Sequence, residues 1–180
     1  SDEDLNRYAR QVIIPNLEEE GQEKLLNTNC LIIGAGGLGC PVALYASAAG
    51  FGRIEIYDQD NIEISNLNRQ IAHKNDKIGI NKAENLVKEC LELNPNISIV
   101  SKKKNFDETI SINNFDLIFD CSDNPETKYI LNRLSHKNKK ILISGSAVQM
   151  EGQLAIWKSG LNEDFPCYEC VFPKSNEKAP

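Results

Sequence analysis

The chain has 180 residues, 41% of them hydrophobic and 26% charged, which is enough for one domain with a real core. A formal net charge of -6 and a pI near 5.0 argue against nucleic acid as the main partner, because phosphate binding needs a basic face. No apolar run nears the roughly 18 residues that cross a membrane. The opening SDEDLNRYARQ is too charged for a signal peptide, and six irregularly spaced cysteines suit reduced thiols in the cytosol.

Residues 4–11 and 18–27 read as two short helices broken by Pro15. NCLIIGAGGLG is a short apolar strand running into glycine, and LGCPVALYASAA (38–49) is an Ala-rich helix stopped by Gly50 and Gly52. RIEIYD alternates apolar residues at Ile54 and Ile56, as a second strand would. Residues 78–93 form a helix with Ala83, Leu86, Val87, Cys90 and Leu91 on one face. ISIV, FDLIFDC and KILISGS are the third, fourth and fifth strands, with a helix over 126–135 between the last two. GQLAIW then alternates like an antiparallel strand, and the tail KSNEKAP is polar and turn-rich. Strands alternating with helices predict an α/β fold: a Rossmann-like, doubly wound, mostly parallel sheet with N-terminal helices and antiparallel strands towards the C-terminal end. The expected division is 1–28 (N-terminal helices), 29–158 (the Rossmann-like core) and 159–180 (a C-terminal segment of different pattern). The lysine-rich spots 102–104 and 137–140 read as solvated surface.

Gly34, Gly36 and Gly39 give G-x-G-x-x-G between a strand and a helix, where backbone approaches phosphate closely and the helix N-terminus offers free N–H groups. Asp58 lies 19 residues beyond Gly39, at the end of the second strand, where a carboxylate can accept ribose hydroxyls. These features alone fit NAD and ATP equally. Arg69 and Lys82 follow the ribose acid, and Asp123 ends the fourth strand in DCSDN. Ligands of open α/β sheets sit beyond the carboxyl ends of strands, so Asp58, Asp120 and Asp123 are expected to converge on one crevice. A carboxylate beside triphosphate is explained by an intervening Mg²⁺, which gives Asp123 a task. Arg69 and Lys82 would neutralise the leaving pyrophosphate.

These residues together resemble the ubiquitin-activating enzyme superfamily, specifically its MoeB/ThiF-like adenylyltransferases. The matching stretches are RYARQ (7–11), LIIGAGGLGCPVALYASAAG (31–50), DQDNIEISNLNRQ (58–70), IGINKAE (78–84), DCSDN (120–124) and CYEC (167–170). The resemblance implies that Gly34, Gly36, Gly37, Gly39, Asp58, Asp60, Asn66, Arg69, Lys82, Asp123 and Asn124 bind ATP. Asp58 would take the ribose, Asn66, Arg69 and Lys82 the phosphates, and Asp123 the Mg²⁺. Arg10 would reach across a homodimer into the neighbour's site. The implied reaction is adenylation of the C-terminal glycine carboxylate of a small ubiquitin-like or sulfur-carrier protein, with the molybdopterin-synthase or tRNA-thiolation branch favoured.

Cys167 and Cys170 make C-x-x-C, half of a tetrahedral Zn²⁺ site. The resemblance makes 29–158 the nucleotide-binding core and 159–180 the start of a zinc and crossover region. It places a second pair further downstream, so the chain reads as the N-terminal part of a longer protein. Two exposed thiols on a loop is the reading for this stretch by itself. Cys30, Cys40, Cys90 and Cys121 read as small buried or half-buried residues. Two other functions remain open: a non-catalytic relative that only binds partners, and an NAD-dependent oxidoreductase, which leaves Arg69, Lys82 and Asp123 unexplained.

Overall fold

The computed structural model describes residues 2–174; the expected polar tail lies, after Lys174, outside the described residues. Six strands form one sheet: β1 (Asn29–Ile33), β2 (Arg53–Tyr57), β3 (Ser98–Lys102), β4 (Leu117–Asp120), β5 (Ile141–Val148) and β6 (Glu151–Trp157). Their spatial order is β3-β2-β1-β4-β5-β6. The first five run parallel, and β6 returns antiparallel to β5, as the change to alternating polarity in GQLAIW predicts. The chain winds one way from β1 to β3 and the other way from β4, so the crevice between β1 and β4 is the switch point where such sheets bind ligands.

β1 is central and apolar on both faces, with Cys30, Leu31, Ile32 and Ile33 all buried. On one face, α3 (Gly39–Ala49) and α4 (Lys82–Leu93) close a core around Ile32, Ile54, Ile56, Leu86 and Cys90. On the other, α5 (Pro125–Lys137) packs its Leu131 into a core with Leu31, Ile118 and Leu142, which Phe115 and Trp157 join. Two N-terminal helices, α1 (Asp2–Val12) and α2 (Glu18–Leu26), pack at the C-terminal end of α3. There Gln11 and Gln22 both donate to the Ala49 carbonyl. Gly50 ends α3 in the left-handed region at φ 86°, and the Tyr8 ring lies 2.6 Å from where a Cβ would sit.

Two expectations are corrected. The helix expected from residue 78 starts at Lys82, because Gly79 takes φ +89° and Asn81 caps the helix through the Glu84 N–H at 3.1 Å. Leu91, expected on the buried face of that helix, is 38% exposed, whereas Ala83, Leu86 and Cys90 are wholly buried. The last short helix, α6 (Tyr168–Val171), starts just after Cys167 and packs on α5 through Tyr129 and Tyr168.

Candidate functional site

The turn after β1 is built by glycines of two kinds. Gly34 stands at φ +96°, and a Cβ there would come within 2.8 Å of the Cys121 carbonyl oxygen. A Cβ on Gly39 would lie 1.8 Å from the Gly34 oxygen. The chain's own packing therefore demands both. Gly36 and Gly37 differ: an added Cβ would meet only Gln70 Nε2 and Arg69 Cγ, each at 3.6 Å, which is ordinary contact. Their missing side chains leave an open surface at the start of α3, where unpaired N–H groups and the helix dipole favour an anion.

Asp58 closes one side of this turn. Its Oδ2 accepts the Ala35 N–H at 2.7 Å and its Oδ1 the Asp60 N–H at 2.8 Å. Burial pushes its carboxyl above the usual range, against the pull of those two N–H groups and the Lys82 charge. Each oxygen keeps a lone pair for another donor. Asn81 Nδ2 donates to the carbonyls of Asp58 and Asp60, both at 3.0 Å, which sets the start of α4 beside the acid. Lys82 then extends its Nζ to Asp60 Oδ2 at 3.1 Å, with side chains 10% and 58% exposed. Water reaches the carboxylate, so the pair is weak enough to exchange for a stronger anion.

Arg69 lies over Gly37, with its stem against the turn. Its Nη1 donates to the Ser65 carbonyl and Asn68 Oδ1, both at 3.1 Å, and no carboxylate pairs with it among the described residues. Asn66 is buried, and its Oδ1 accepts the Glu63 N–H at 3.1 Å. That bond commits one side of its amide to the 3-10 turn Ile64–Asn66. Gln70 is 4% exposed beside Gly36, and its Oε1 finds no donor among the described residues. A buried orphan acceptor is costly, so a donor arriving at the turn would relieve it.

On the far side of the crevice, Asp120 behaves differently from the expectation. Its carboxylate is turned inward, 1% exposed, onto Lys128 Nζ at 2.9 Å and onto Ser122 Oγ at 2.6 Å and N–H at 3.1 Å. Asp123 is exposed in the loop between β4 and α5. Asn124 caps α5 by accepting the Glu126 N–H at 2.9 Å. Among the described residues no group of three His, Cys, Asp or Glu side chains could hold a metal. A single exposed carboxylate still suits Mg²⁺, which takes one or two carboxylates and completes its shell from phosphate and water.

Arg10 is exposed in the last turn of α1, at the opposite end of α3 from the glycine turn. Eleven helical residues separate the two ends, on the order of 16 Å, so Arg10 is not brought to this crevice. Cys167 and Cys170 stand with their sulfurs 3.4 Å apart. Burial raises the Cys167 thiol's pKa, but hydrogen bonds from Asn132 Nδ2, Cys170 and the Cys170 and Glu169 N–H groups outweigh it, and the net shift is downward. Cys30, Cys40 and Cys90 are buried and Cys121 half-buried, as expected.

Several residues that shape the site carry no sequence signal of their own. Lys128 reads as an ordinary surface lysine of a helix, yet its side chain is 8% exposed; it also donates to the Gly145 carbonyl at 3.0 Å. Gln70 and His73 become visible only through the loop's return to the glycine turn. Asn81 could have been found, because an Asn directly before a helical run is an N-cap signal.

A Rossmann-like sheet, with a glycine turn at its switch point and an acid bonded to that turn, defines the class: a dinucleotide- or nucleotide-type α/β domain. Residues 8–180 match the ThiF family, and the chain belongs to it, within the MoeB/ThiF-like part of the ubiquitin-activating superfamily. It is 44% identical, over 94% of its length, to "Adenylyltransferase and sulfurtransferase MOCS3" of Dictyostelium discoideum, of which it covers 40%. It is 40% identical, over 96% of its length, to "Adenylyltransferase and sulfurtransferase UBA4" of Scheffersomyces stipitis, of which it covers 39%. The chain thus spans about 40% of the length of such relatives. Among solved structures, E. coli MccB with MccA-N7isoASN superposes at TM-score 0.82 and 28% identity, covering 97% of this chain and 53% of that one. E. coli MccB with ATP superposes at TM-score 0.75 and 29% identity, covering 83% of this chain and 46% of that one.

Proposed function

We propose that this domain uses ATP to adenylate the C-terminal glycine carboxylate of a small ubiquitin-like or sulfur-carrier protein. The observation that carries the reading is the bonding of Asp58 to Ala35, with Lys82 and Arg69 flanking the same turn. That arrangement offers an acceptor for ribose hydroxyls beside cations for the phosphates. The names of the MOCS3 and UBA4 relatives support it, as does the MccB structure with ATP.

In the proposed step a carboxylate oxygen of the carrier attacks the α-phosphorus of ATP. The bond from that phosphorus to the bridging oxygen breaks, pyrophosphate leaves with the electron pair, and an acyl adenylate remains. An α-carboxyl has a pKa of about 3.3 to 3.7, so the nucleophile is already ionised and no general base is needed. Catalysis then rests on positioning and charge neutralisation. Lys82 exchanges its exposed partner Asp60 for phosphate oxygen, and Arg69 swings from its two backbone and amide acceptors onto the leaving group. Mg²⁺, held by Asp123, would add charge neutralisation at the phosphates.

The same reading gives the chain a homodimeric partner, with Arg10 entering the neighbour's crevice. It is supported by the distance of Arg10 from its own glycine turn and by the exposure of Leu154 (80%) and Ile156 (59%) on one face of β6. Cys167 and Cys170 would supply half of a Zn²⁺ site closed by thiols elsewhere in the protein, and the cytosol is the compartment that suits them reduced. The test is exchange of labelled pyrophosphate into ATP, with Mg²⁺ and a set of small carrier proteins ending in glycine. Exchange that depends on one carrier and on its terminal carboxylate is the expected result. Exchange with none, by protein that binds ATP, would leave a partner-binding role without catalysis.

A further inference from the structure

His73 is buried, 4% exposed, in the loop that returns to the glycine turn, and the reaction described above does not use it. Its Nε2 lies 2.9 Å from the Ala35 carbonyl oxygen and its Nδ1 3.0 Å from Asn85 Nδ2 on α4. Asn85 Nδ2 also donates to the Ala72 carbonyl at 3.0 Å, which fixes the orientation of the amide. One amide hydrogen serves Ala72 and the other points at His73 Nδ1. A ring nitrogen that receives an N–H cannot carry a proton of its own. The ring proton therefore sits on Nε2 and is donated to Ala35. Burial holds the ring below its ordinary pKa, with the Lys82 charge acting the same way and the Ala35 bond, Asp58 and Glu89 opposing. The neutral tautomer is the one present at neutral pH.

Ala35 is thereby held at both ends. Its N–H is bonded to Asp58, and its C=O to His73, with the Cys40 thiol as a second donor at 3.4 Å. Because the peptide is trans, C=O and the following N–H point in opposite directions. Drawing the Ala35 carbonyl inward turns the Gly36 N–H outward, over the open surface at Gly36 and Gly37. We propose that His73 is a positioning residue for the glycine turn: as a neutral donor braced by Asn85, it aims the Gly36 N–H at the ligand's phosphate. This rests on the nucleotide reading of the site.

The test compares the unaltered protein with His73→Leu, which removes the donor, and His73→Gln, whose amide can still donate to Ala35. Two quantities are read: the Kd for Mg·ATP, and the amide hydrogen exchange of residues 34–37 without nucleotide. In His73→Leu both worsen by about tenfold, the loss of roughly one hydrogen bond, and His73→Gln recovers most of each. Should a folded His73→Leu keep both values, or His73→Gln fail as badly as His73→Leu, the positioning role is overturned. If the unaltered protein binds no ATP while exchange still separates the two variants, the nucleotide reading falls and the bracing of the turn stands. Ring nitrogen NMR of the unaltered protein needs no variant at all. A protonated Nδ1 with a bare Nε2 at pH 7.5 would refute the proposal directly.

Discussion

Asp58 Oδ2 accepts the Ala35 N–H at 2.7 Å, so the acid that follows β2 is bonded to the turn that follows β1. The two neighbouring strands are joined at their carboxyl ends by a charge, and the charge is partly buried. Burial is the largest influence on this carboxyl and raises its pKa above the ordinary 3.8. The folded state therefore takes the proton more readily than the unfolded chain. The stabilising contribution is full below about pH 3.8 and is lost as pH rises through the folded value. At neutral pH the ionised acid costs stability, and its use must lie elsewhere.

Asp58→Asn should accordingly lose function without losing the fold. One amide face can still accept a backbone N–H while the other meets a donor, a penalty of about 1 to 3 kcal/mol offset by removal of a buried charge. Urea denaturation at pH 7 is expected to show a net change within about 1 kcal/mol, while the thermal stabilisation given by Mg·ATP disappears. A variant still protected by ATP as well as the unaltered protein would remove Asp58 from the nucleotide site.

The glycines separate packing from ligand approach. Gly39→Ala forces a carbon to 1.8 Å from the Gly34 oxygen, so the turn must break and soluble yield should collapse. Gly36→Ala meets only Gln70 Nε2 at 3.6 Å and should fold with a midpoint close to the original. It should still bind ATP at least tenfold more weakly, about 1.4 kcal/mol, because the added methyl group stands where a phosphate would approach. Equal ATP affinity in Gly36→Ala would mean that this face of the turn meets no ligand.

Arg69 and Lys82 should show large kinetic effects and small structural ones. Arg69 is exposed with no carboxylate partner among the described residues, so Arg69→Ala should lose less than about 1 kcal/mol of stability. The Lys82 side chain is 10% exposed, so Lys82→Ala should lose somewhat more, through the packing of its stem. Removal of a charge-stabilising donor costs about 10²- to 10³-fold in rate. Pyrophosphate exchange is expected to fall by that much in each, whereas near-normal exchange in both would discard the charge-neutralising role.

The architecture was legible because β1, β4 and β5 are short apolar runs and β2 alternates at Ile54 and Ile56, with helical patterns between them, and because the alternation of GQLAIW with no helix before it marks the antiparallel β6. The glycine turn and Asp58 were legible for the same reason: strand, turn and acid have fixed offsets. The start of α4 was not, since the apolar period begins at Ile78 and only the left-handed Gly79 and the Asn81 cap delay the helix. The inward turn of Asp120 was equally hidden. Its partner Lys128 is eight residues on, and nothing in PETKYILNRL distinguishes a buried lysine from an exposed one.

Thiol chemistry offers a direct check on the cysteines. Burial pushes Cys40 and Cys90 up to about 11 and Cys121 up to about 12, and burial raises Cys30 further still. At pH 8 these four hold negligible thiolate, which is the reactive form. Cys167 is shifted the other way and Cys170 is exposed. Iodoacetamide at pH 8 should therefore label Cys167 and Cys170 well before the rest, and mass spectrometry of the digested protein reads the order. Early labelling of Cys40 or Cys121 would mean that the region behind the glycine turn opens in solution.

The Asp120–Lys128 pair is the most consequential contact outside the crevice itself. The side chains are 1% and 8% exposed, and Lys128 also holds the Gly145 carbonyl at 3.0 Å, tying the end of β4 to β5. Asp120 in turn anchors Ser122, and Asp123 follows directly, so the exposed carboxylate is presented from an anchored loop. Lys128→Met should strand the Asp120 charge and cost about 3 to 5 kcal/mol, read as a lowered urea midpoint. Adding Asp120→Asn removes the stranded charge and should restore a large part of that loss. The double variant still lacks the Gly145 bond, so its loop should position Asp123 less well and its pyrophosphate exchange should stay low even where stability returns. A Lys128→Met protein as stable as the original would mean that water reaches Asp120, and the pair would then be no anchor for the loop.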